Sequence, residues 1–192
     1  MTTYPVRTRR WTRKEYRLLG ERGVLPEDEP VELIDGQLIV AEPKGRPHVT
    51  AVALTAEGLR RAFGAGWHVF QQEPIALDDD SEPEPDVSVV PGGPRDYLVD
   101  HPARPVLVVE VAETSLDFDR HHKGSAYARA GLPDYWIVNL LDRRLEVYRR
   151  PGTDPAAEFG WRYLGVEIFA PGTAVAPLAR RNALIAVADL LP

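Results

Sequence analysis

The segment Pro105-Val106-Leu107-Val108-Val109-Glu110-Val111 constrains the fold more than any other part of the chain. Side chains alternate across a strand, so Val106, Val108 and Glu110 share one face and Leu107, Val109 and Val111 the other. Both faces are apolar, which predicts a central strand covered on both sides. A helix is predicted next, from about Asp119 to Ala130, with Gly131 as its stop. An apolar strand resumes at Asp134. Strand, helix, strand is a parallel crossover, a connection that is right-handed almost without exception.

Hairpins surround that unit. Val31 to Val40 reads as two short strands around Asp35-Gly36, a turn pair suited to a tight hairpin. Thr12 is placed to cap a helix from Arg13 to Arg22, ended by Gly23 and Pro26. Helical spacing begins at His48 and stops at Gly64 and Gly66. Trp67–Leu77 reads as one strand or a bent pair, and Asp86–Val90 as a strand closed by Pro91-Gly92-Gly93-Pro94. Asp134–Leu141, Arg144–Arg149 and Trp161–Phe169 are further strands, and the apolar tail Ala183–Leu191 is expected to pack on the body. Asp78–Glu84 reads as a solvated acidic turn. The expected fold is α/β: a central mixed β-sheet flanked by helices, with an N-terminal β-hairpin. A single domain is expected over residues 1–192, with a loose basic arm at 1–10, a core at about 11–150, and a C-terminal strand and tail at 151–192.

Composition removes several function classes. The chain has no cysteine, which excludes disulfides, thiolate zinc sites and thiol nucleophiles. No stretch approaches the roughly 18 apolar residues of a membrane span, and the basic N-terminus has no apolar run behind it. A cytoplasmic protein without a membrane partner is expected. The net charge of −6 argues against broad, non-specific nucleic-acid binding. Phosphate-loop, Gly-x-Ser-x-Gly and His-Glu-x-x-His motifs are absent from the sequence.

Three residues stand out. Glu110, near the carboxyl end of a buried strand, loses solvation worth several kcal/mol unless it is paired, protonated or metal-bound. Asp86 opens a second strand after Pro85. Two carboxylates on neighbouring strands repel, and a hard cation such as magnesium is their natural partner. Lys123 lies four residues after Asp119, a spacing that also suits a surface ion pair. The chain has only three lysines, Lys14, Lys44 and Lys123, against twenty arginines, so a lysine here is unusual. Its compact ammonium can approach a water or a phosphate oxygen. His121 and His122 point about 100° apart on a helix and read as solvated surface. Arg7, Arg9, Arg10 and Arg13 could contact phosphates.

Asp86, then Glu110 in an apolar strand, then a nearby lysine together resemble the PD-(D/E)xK nuclease superfamily. The chain is more closely similar to the Uma-type restriction endonucleases, long catalogued as a domain of unknown function. The matching stretches are Val31–Gly36, His48 at a helix start, Glu84-Pro85-Asp86-Val87, Val108–Val111, Asp119 through Lys123 to Tyr127, and Ala130–Val138. The resemblance implies a restriction-endonuclease-like fold and a Mg²⁺-dependent (or Mn²⁺-dependent) endonuclease that hydrolyses DNA phosphodiester bonds, with pairing into a homodimer. It implies that Asp86 and Glu110 are metal ligands, joined by the Val111 backbone carbonyl. Many relatives carry a lysine two residues after the glutamate. Here that position is Ala112, and the resemblance assigns the role to Lys123 on the following helix. Glu32 resembles an additional acidic site residue, and His48 and Glu73 stand where relatives often have polar residues. The alternatives are a metal-dependent hydrolase of RNA or another phosphate ester, and a catalytically silent nucleic-acid-binding or oligomeric protein that retains the fold.

Overall fold

The computed structural model describes residues 8–26, 29–41 and 44–192. Helix α1 (Arg13–Glu21) opens with a reciprocal cap. The Glu15 amide donates to Thr12 Oγ1 at 3.3 Å, and the Thr12 amide donates to Glu15 Oε2 at 3.0 Å. Strands β1 (Val31–Ile34) and β2 (Gln37–Val40) form the expected hairpin. Its turn residues Asp35 and Gly36 both take positive φ, 49° and 72°, the conformation the Asp-Gly pair favours.

After α2 (Arg46–Phe63) the chain enters a six-stranded mixed sheet. Its strands are β3 (Trp67–Gln71), β4 (Val87–Pro91), β5 (Leu107–Ala112), β6 (Asp134–Asn139), β7 (Arg144–Thr153) and β8 (Trp161–Phe169), in that spatial order. Only β5 and β6 run parallel; every other pair in the sheet is antiparallel. The crossover between them is the helical segment predicted from sequence, with one difference. Phe118–Lys123 is a π-helical turn, and α3 (Gly124–Arg129) continues it as regular helix. Gly131, at φ 74°, ends it as expected.

The sheet buries both faces, as the β5 run requires. Leu107, Val109 and Val111 pack with α2 residues Val52, Ala56 and Leu59 and with the tail residues Ile185, Val187 and Leu190. Val108 and Ala112 face the other way, toward Ile34 of the hairpin, Ala126 and Tyr127 of α3, and Tyr135 and Ile137 of β6. The tail adds a short pair, β9 (Ala174–Val175) with β10 (Ile185–Ala186), which the sequence reading leaves out.

Other expectations are corrected. β3 stops at Gln71 because Gln72 takes φ 53° and turns the chain out of the sheet, although Ile75–Leu77 stay buried. The acidic turn is a clasp rather than a solvated loop. Arg13 and Arg17 hold the buried Glu82, while Arg129 bridges Asp35 and Asp78. Of the basic arm, residues 1–7 lie outside the described residues. Arg10 is already spent on Asp35 and Asp80, and Arg9 stacks over Trp11. His122 stacks on Phe118 and meets Phe159 edge-on instead of facing water, while His121 is exposed.

Candidate active site

Antiparallel pairing brings the amino end of β4 to the carboxyl end of β5, where ligand sites of α/β sheets form. One step beyond the Val87–Val109 pair, Asp86 comes opposite Glu110. The Asp86 amide donates to Glu110 Oε2 at 3.3 Å. The two carboxylates thus share one end of the sheet, and both are nearly inaccessible.

The helical crossover supplies the cation. Lys123 Nζ reaches Glu110 Oε1 at 3.1 Å and Glu32 Oε2 of the hairpin at 3.1 Å. One turn on, the Tyr127 hydroxyl donates to Glu110 Oε1 at 2.7 Å. Lys123 is therefore buried and turned inward, with no surface pair to Asp119. Asp119 is itself buried in the same wall and accepts from Ser115 Oγ at 2.6 Å. Helix α2 adds His48, whose Nε2 lies 3.0 Å from Asp86 Oδ2; the Val111 amide donates to that same oxygen at 2.9 Å. Asp86 Oδ1 accepts from Lys44 Nζ at 2.9 Å.

These groups line a cavity of about 340 Å³. Its wall carries six carboxylates (Glu32, Glu84, Asp86, Glu110, Glu113 and Asp119) and two ammonium groups, Lys44 and Lys123. Burial and this excess of negative charge together shift the titration of the wall. Burial, with the neighbouring charges of Asp119, Asp86 and Glu32, pushes Glu110 up to about 8 even beside Lys123. Burial also raises Asp119 to about 6, and burial with Glu32 raises Glu84 to about 6. Asp86 goes the other way: against the cost of burial, the His48 hydrogen bond and the Lys44 charge bring it down to about 2. Lys123 is desolvated, yet the carboxylates around it hold it charged well above the usual lysine range.

Such a wall calls for additional positive charge, and its donors are hard oxygens. Among the described residues no three His, Asp or Glu side chains form a ready-made metal cage. The fit is instead to a cation that uses one or two carboxylates and keeps several waters. Oxygens that could take part include Glu110 Oε2, whose one donor among the described residues is a long amide bond, and Asp86 Oδ1, which Lys44 now holds.

The structure thus brings Asp86, Glu110, Lys123, Glu32, His48 and Val111 to one cavity. Glu73 is exposed and is not part of its wall. Sequence reasoning overlooked Lys44, Glu84 and Asp119. Lysine scarcity, the signal that singled out Lys123, applies equally to Lys44.

Residues 14–179 match the family described as "Uma2: Putative restriction endonuclease". The chain belongs to this family. The Uma2 match takes in every residue of the cavity wall. No curated protein matches the chain. Among solved structures, it is similar to one titled as a putative nuclease belonging to DUF820 from Anabaena variabilis. The two are 18% identical, with a TM-score of 0.61 over 90% of this chain and 96% of that one. At that identity the likeness is one of fold.

Proposed function

We propose that this Uma2 protein is a divalent-metal-dependent endonuclease that hydrolyses DNA phosphodiester bonds. The observation that carries the reading is the convergence of Asp86, Glu110 and Lys123 on one cavity at the carboxyl end of β5. The family description and the DUF820 nuclease of like fold support it.

In this reading Asp86 and Glu110 would hold Mg²⁺ or Mn²⁺, with the Val111 carbonyl as a further protein oxygen. A bound divalent cation polarises a phosphate oxygen and acidifies a water. The chain's own groups do the rest. Lys123 orients the attacking water and offsets the negative charge that grows on the phosphate. Glu32 and Tyr127 fix that ammonium and the Glu110 carboxylate in place. His48 keeps Asp86 ionised and aimed.

Two copies would present two such cavities to a duplex, and a homodimer belongs to this reading. β8 is an edge strand with Leu164, Val166 and Ile168 exposed at alternate positions, which supports it.

The test is cleavage of supercoiled, linear and single-stranded DNA, with RNA alongside, across a Mg²⁺ and Mn²⁺ titration. Asp86→Ala and Glu110→Ala should abolish cleavage. Either variant cutting as well as the parent overturns the assignment. Cation-dependent cutting of RNA alone overturns the DNA substrate.

A further inference from the structure

We propose that Lys44 is a mobile counter-ion. It neutralises Asp86 while no divalent cation is present, then moves to a nucleic-acid phosphate when a cation takes its place on Asp86 Oδ1. The inference rests on the metal-dependent nuclease reading and adds to it a substrate contact.

The two oxygens of Asp86 are held differently. Oδ2 is fixed by the Val111 amide and by His48, both buried parts of the scaffold. Among the described residues Oδ1 has one donor, Lys44, whose side chain is 35% exposed against 7% for Lys123. Lys44 lies just before α2, next to its cap residue Gly45, at the wall of the cavity. Among the described residues it has this one carboxylate partner and a partly solvated stem, whereas Lys123 is held between Glu32 and Glu110.

The choice of residue points the same way. Arginine would clasp a carboxylate with two parallel hydrogen bonds and be hard to displace. Lysine is a strongly hydrated point charge on a flexible chain, a partner that exchanges easily. This chain uses arginine for twenty of its 23 basic side chains, yet two of its three lysines line this one cavity. A divalent cation at Asp86 Oδ1 would repel the ammonium. Glu84 and Glu113 offer resting places in the same wall, and a substrate phosphate offers a third that binding itself delivers.

The experiment compares the wild type, Lys44→Met, Lys44→Arg and Asp86→Asn. Mn²⁺ binding is followed by electron paramagnetic resonance without DNA. Affinity for a short duplex is followed by fluorescence anisotropy over a KCl series, in Ca²⁺ and separately in EDTA. Lys44→Met should bind Mn²⁺ at least as tightly as the wild type, and Asp86→Asn should lose it. In Ca²⁺ the log–log salt slope of Lys44→Met should be smaller by about one, while in EDTA the slopes of the two proteins coincide. Lys44→Arg should restore the slope but bind Mn²⁺ more weakly. Weaker Mn²⁺ binding by Lys44→Met, or equal slopes in Ca²⁺, overturns the role of Lys44 and leaves the nuclease reading standing. A wild type that binds no Mn²⁺ through Asp86 overturns both.

Discussion

Glu110 shows how one side chain ties the protonation of the cavity to its ligand. Its carboxyl is pushed up to about 8, chiefly by burial, while Glu84 and Asp119 sit near 6. Folded values above the unfolded carboxylate range mean that the folded state holds protons the unfolded state has lost. Stability from these groups is full below about pH 3.8 and declines as pH rises through 6 and then 8. Asp86, down at about 2, contributes the opposite sign, and its share is lost only in acid. The metal-free protein should therefore lose melting temperature between pH 5 and 8, and Mg²⁺ should restore most of it at pH 8. Cation binding at pH 7 should also release protons, read by titration calorimetry in buffers of different ionisation enthalpy. No proton release, with a flat melting profile, would contradict the charge excess described for the cavity. Asp86 and Glu110 were legible as candidates from sequence because strand alternation and pairing order fix where such residues point. Lys44 was not, since its meeting with Asp86 is made by a loop 42 residues away.

At the scale of elements, the site depends on how closely the crossover helix lies on the sheet. Gly124 sits at that seam: a Cβ there would stand a tight 3.2 Å from the Asp119 carbonyl of the preceding π-helical turn and at ordinary contact, 3.6 Å, from the Tyr135 ring of β6. Gly124→Val should cost about 1–3 kcal/mol through overpacking. It should also lower cleavage more than the melting shift accounts for, because Lys123 is its immediate neighbour. A variant that melts and cuts like the parent would show that the spacing has slack. The helix itself was legible from its place between two apolar strands and its stop at Gly131; that Asp119, Lys123 and Tyr127 face inward was not. Nor was its π-helical turn. A spacing of four residues brings side chains to one face in a π-turn as well as in an α-turn, and such turns are frequent at functional sites. The acidic turn was misread for a related reason, since Arg13, Arg17 and Arg129 come to it from positions about 50 to 70 residues away.

For the whole molecule, the order of the sheet was legible around its centre and less so at its margins. The parallel β5–β6 pair followed from one apolar run and one helix. The short β9–β10 pair carries too few residues for any periodicity. β8, one of the two edge strands of the sheet, shows Leu164, Val166 and Ile168 to solvent. If two copies join there in antiparallel fashion about Val166, Leu164 of one meets Ile168 of the other. Val166→Lys should then shift the sedimentation coefficient from dimer to monomer while leaving the fold intact, and an unchanged coefficient would place any dimer contact elsewhere. The scarcity of lysine across the chain has a last practical consequence. With only three ε-amines, an amine-acylating reagent followed by mass spectrometric mapping becomes a gauge of this cavity. Lys14 is exposed and should be labelled at once, whereas Lys123, buried and held charged, should stay unlabelled until the protein unfolds. Equal labelling of the two would mean that the cavity opens freely, so one unmodified peptide reports a closed site in a sample with no substrate, metal or assay at hand.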